Sequence, residues 1–65
     1  MREKERAKQM IEIMIDRIDT ASNDEQMQVR QYRAAGAIFI LYVIDIITLE
    51  EHNEYDKRIF HRTAF

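Results

Sequence analysis

His52 and Asp56 stand one helical turn apart in EEHNEYDKRIF and are the residues best spaced for chemistry. A carboxylate four positions after an imidazole can orient the ring or hold its charge. Metal ligation asks for further ligands at helical spacing, such as the Glu-x-x-His pairs of di-iron bundles. Neither His52 nor His61 has a Glu three positions before it. The pair therefore reads as a hydrogen-bonded polar contact at an interface. A histidine in such a contact could make an assembly pH-sensitive. No metal or other cofactor is expected.

Nucleophilic catalysis fits poorly. There is no cysteine, the one serine, Ser22, sits where it can cap a helix, and one glycine cannot build a phosphate-cradling loop. A chain of 65 residues buries only about 60% of the surface its unfolded form exposes, too little for a large catalytic cleft. The expectation is not an enzyme.

Asp45 is the other singular residue, an acid inside the apolar run AAGAIFILYVIDIITL at 34–49. An acid on an apolar helix is either paired or displaced in pKa. Arg30, Arg33, His52 and Tyr55, of the same or a neighbouring chain, are its candidate partners. Such a pair would fix register at some cost in stability.

Helices must position these groups. With no proline and one glycine, little interrupts a helix, and the fold class is all-α. The sequence reads as a single small domain over 1–65: an antiparallel hairpin plus a short third helix, assembling as a homodimeric helical bundle. From about 2 to 21 the residues Ala7, Met10, Ile11, Met14, Ile15, Ile18 and Ala21 form one apolar stripe, with Ile13 outside it. Ser22 followed by Glu25 has the form of a capping box, and starts a second helix over about 24–47. Thr48, Glu50 and Glu51 repeat that logic before a third helix, about 49–62. Its inward side would carry Leu49, His52, Tyr55, Asp56, Ile59 and Phe60.

The apolar run needs cover. Arg33 and Glu50 fence it to 34–49, short of the roughly 20 residues of a membrane span, and Asp45 would be costly in lipid. One hairpin is too narrow to hide side chains that point in every direction, so a second copy is expected to complete the core. Ile38, Phe39, Leu41, Tyr42, Asp45 and Ile46 are the expected oligomer interface, with His52 and Asp56 as its polar pair. The small residues Ala34, Ala35, Gly36 and Ala37 suit the closest helix crossing.

Ten basic against twelve acidic side chains give a formal charge of −2, with no overall attraction to nucleic acid or anionic membrane. The lack of cysteine fits a reducing compartment. MREKERAK has no apolar stretch behind it and reads as neither signal nor transit peptide, so the cytoplasm is expected. A third helix carrying His52, Asn53, Lys57, Arg58 and Arg62 could pass for a recognition helix. Glu50 and Glu51, however, occupy the turn that would approach phosphates. Arg2, Lys4, Arg6 and Lys8 are diluted by Glu3 and Glu5.

The expectation is a small regulator or inhibitor, in the style of phage, plasmid or bacterial proteins, that partners itself and a target protein. Glu12, Asp16, Asp19 and Asp24 on one side, and Arg30, Arg33, Lys57 and Arg58 elsewhere, would steer the encounter. The alternative is a nucleic-acid-binding hairpin dimer in transcriptional or copy-number control.

Overall fold

The structure, a computed structural model, describes residues 2–61. Three helices pack against one another, α1 (Glu3–Asp19), α2 (Asp24–Val43) and α3 (Leu49–Ile59), and among the described residues there is no strand. Cross-helix contacts fix their directions. Arg30 of α2 reaches the end of α1 at Arg17, Gln31 reaches the end of α3 at Ile59, and Tyr42 lies beside His52. Both outer helices therefore run antiparallel to α2 and parallel to each other.

Local chemistry sets the helix starts. Thr48 accepts from the Glu51 amide at 3.1 Å while the Glu51 carboxylate accepts from the Thr48 amide at 2.9 Å, the expected reciprocal box. At the other turn the cap is Asn23, not Ser22. The Asn23 side chain accepts from the Gln26 amide, and the Gln26 side chain accepts from the Ser22 amide. Asn and Ser are equally good caps, and Gln can reach back as Glu does, so the motif slips by one residue.

The larger correction is where α2 ends. The sequence reading carries it to Ile47; the helix stops at Val43. Asp45 has φ of 63°, the left-handed conformation that closes a helix. The Ile46 amide donates to the Leu41 carbonyl at 2.9 Å and the Asp45 amide to the Tyr42 carbonyl at 3.1 Å. These are the two bonds of a Schellman motif, and its usual apolar contact joins positions that Leu41 and Ile46 occupy, both packed against the core. Asp45 is thus an exposed turn residue rather than an acid on an apolar helix. Asp tolerates this conformation because its short polar side chain can serve the local backbone.

The break tips the chain so that Ile47 returns to the interior. Ile11, Ile15, Ile18, Ala21, Met27, Ala34, Ile38, Ile47, Tyr55 and Ile59 form the buried core. Each large one contributes on the order of 1.5 to 3 kcal/mol. Helix α3 ends at Ile59, and Arg62, expected to be its last residue, lies outside the described residues.

Asp45→Gly relieves the left-handed strain and is expected to raise stability by up to about 1 kcal/mol. Asp45→Val should lower it by about 1 to 2 kcal/mol, because a β-branched residue is poorly tolerated there. Thermal melts of the two variants, moving in opposite directions from the parent, check this.

Candidate functional site

Helix α2 has two apolar faces. Met27, Gln31, Ala34 and Ile38 point inward. On the far side Val29, Tyr32, Phe39, Ile40 and Val43 recur at three- and four-residue steps, with Gly36 among them. Tyr32 is 70% exposed, Phe39 57%, and Ile40 and Val43 59% each. Phe60 extends the face beside Tyr32, their rings edge to face at 6.2 Å. Ile44, exposed next to the helix end, continues it.

The expected interface residues divide. Phe39 lies on the open face. Ile38 is wholly enclosed by its own chain and offers a second copy no surface, since α1 and α3 close over the side of α2 that carries it. Leu41, Tyr42 and Ile46 are half-buried against the core. Asp45 stands in the turn. His52 and Asp56 are not brought together: the His52 ring tilts against Tyr42 at 5.6 Å, and its Nδ1 lies 3.4 Å from Asn53 Oδ1. Ile40 and Val43 belong to the apolar run expected to need cover but were not singled out as interface residues, and Val29 and Tyr32 went unremarked. Their shared helical stripe, on the side opposite Met27 and Ala34, was the available signal.

Several charges are committed within the fold. Arg58 makes a bidentate pair with Glu12 at 2.6 and 2.7 Å, and its guanidinium lies 5.8 Å from the Tyr55 ring centre. That pair depresses the Glu12 pKa and raises that of Arg58. Both are therefore less available to steer a partner than the sequence suggested. Arg30 donates to the Arg17 carbonyl and to Thr20 Oγ1, a cation closing the C-terminal end of α1. Glu51 binds Lys8 at 2.7 Å and Lys4 at 2.9 Å while capping α3. Arg17 and Arg33, together with the committed Arg30, line an open groove beside Met14.

Among the described residues, no group of three or more His, Asp or Glu is placed to hold a metal ion, and no helix is long and apolar enough to cross a membrane. No family model, curated protein or solved structure was found to match this chain. The main surface feature is the open apolar face of α2.

Glu51 has its pKa lowered to about 2 by the Lys8 ammonium first, then by the Thr48 amide and by Lys4. A depressed carboxylate adds stability that is present above its ordinary range and is lost as pH falls from there through about 2. Glu51→Gln preserves the cap but not the ion pairs. It should flatten the fall in stability between about pH 4.5 and pH 2. Urea midpoints of the two proteins across that range test it, and parallel curves would refute it.

Proposed function

We propose that this chain is a small helical binding protein that works as a homodimer joined through α2 and regulates or inhibits a target protein by docking on it. The exposed apolar face of α2 carries the reading. A contiguous patch of that size on a small domain usually marks an interaction surface. Met10 and Ile13 of α1 and Leu49 of α3 are exposed apolar residues outside the α2 stripe and are candidates for contact with a target. Asp16 of α1 and Lys57 of α3, both exposed, are charges that could steer it. The cytoplasm is the compartment that suits this reading.

The nucleic-acid alternative has one observation behind it, the Arg17, Arg30 and Arg33 group. Its weakness is that Lys4 and Lys8 are tied to Glu51 and Arg58 to Glu12. Sedimentation at low micromolar concentration is expected to give a dimer, and a folded monomer would remove the reading. Filter binding with random DNA and RNA is expected to show no retention that falls steeply between two salt concentrations. Steep salt dependence would favour the alternative, because phosphate contacts release counterions.

A further inference from the structure

The interior of α2 holds the chain's one glycine, Gly36. Its backbone is not in the positive-φ region, and a Cβ added to it would meet nothing within 4 Å. Neither conformation nor space inside the subunit asks for glycine there. It nevertheless costs about 1 kcal/mol against alanine in a helix interior. A second backbone passing close over that point is a physical use for the missing side chain, because helix axes approach to about 8 Å only where the residues between them are small.

The residues on either side are arranged as a two-fold axis requires. Val29 and Val43 lie seven positions before and after Gly36, and Tyr32 and Ile40 lie four before and after. Phe39 stands three after, Arg33 three before. In an antiparallel two-fold pair, residues equally far on opposite sides of the axis meet. Val29 would then face Val43 of the second copy, and Tyr32 would face Ile40 and Phe39. Arg33 would lie along the edge within reach of an aromatic face. No acid occurs between Glu25 and Asp45, so the pairing would bury no carboxylate along the stripe.

Area also supports a second copy. From their fractional exposures, the five apolar residues of the stripe leave roughly 600 Å² in water per copy. Both copies together reach about 1,200 Å², the lower edge of specific interfaces. Flanking Arg33, Ile44 and Phe60 add to this. We propose that the exposed face of α2 pairs with the same face of a second copy in an antiparallel two-fold crossing centred on Gly36. This rests on the homodimer reading above and adds its direction and register.

Two measurements test it. In a mixed sample of labelled and unlabelled wild-type protein, isotope-filtered NOEs are expected to join Tyr32 to Ile40 and Val29 to Val43 across the interface. Gly36→Leu should keep its helical circular dichroism, since the position is open within the subunit. Its dimer dissociation constant should rise about tenfold to a hundredfold through overpacking at the crossing. A wild-type dimer whose NOEs join Val29 to Val29, or miss α2 altogether, overturns the crossing and leaves the homodimer intact. So does a folded Gly36→Leu variant that dimerises unchanged. A wild-type monomer removes both.

Discussion

Two helices can cover one side of a third, and α2 has apolar side chains on both. Every other feature of the fold answers to that mismatch. Helices α1 and α3 each bring one stripe, Ile11, Ile15 and Ile18 from the first and Tyr55 and Ile59 from the last. They close over Met27, Ala34 and Ile38 and leave the opposite side of α2 in water. Among the described residues no other element lies over that side. The open face is thus what remains when two helices cover one side of a helix that carries apolar residues on two.

The same antiparallel arrangement organises the polar contacts. Because α1 and α3 run parallel, their C-terminal carbonyls arrive at one end of the bundle, where helix ends carry unsatisfied acceptors. Two successive residues of α2 meet them. Arg30 donates to Arg17 of α1, and the buried Gln31 donates to the Ile59 carbonyl of α3 at 3.1 Å. At the opposite end Glu51 gathers Lys4 and Lys8 while closing the first turn of α3. Charge and amide groups here act as fasteners between helix ends. Gln31 is costly to bury unless hydrogen-bonded, and its bond fixes how far α3 slides along α2.

Much of this was legible in the residues. Period gave the three helices, and Thr48 with Glu51 gave the start of the third, because capping is a local interaction whose partners are three positions apart. The end of α2 was not legible in the same way. Nothing in IFILYVIDIITL resembles a stop signal: the αL position is filled by Asp rather than Gly, and the residues after it are as apolar as those before. The Schellman closure is chosen because it returns Ile47 to the core, a tertiary gain that propensity does not see. Gln31 was missed for the opposite reason. It is a polar residue on the buried stripe of Met27, Ala34 and Ile38, and only the end of α3 explains it. The expected interface was selected within the apolar run, so it included Ile38, which is enclosed, left out Ile40 and Val43, which are exposed, and passed over Val29 and Tyr32, which precede the run.

The division of α2 into two faces separates folding from association. Its inward residues are fully or nearly fully buried within one subunit, so that side of the helix is stabilised without a neighbour. The outward residues contribute less within the subunit, because roughly half or more of the surface of each stays in water. Substitutions on the outward face should therefore act on what the protein binds and leave the subunit standing. A glycine placed midway along that outward face weakens the isolated helix by about 1 kcal/mol and leaves open space where a side chain would otherwise stand. In the proposed pairing, that space is where the second helix would lie close.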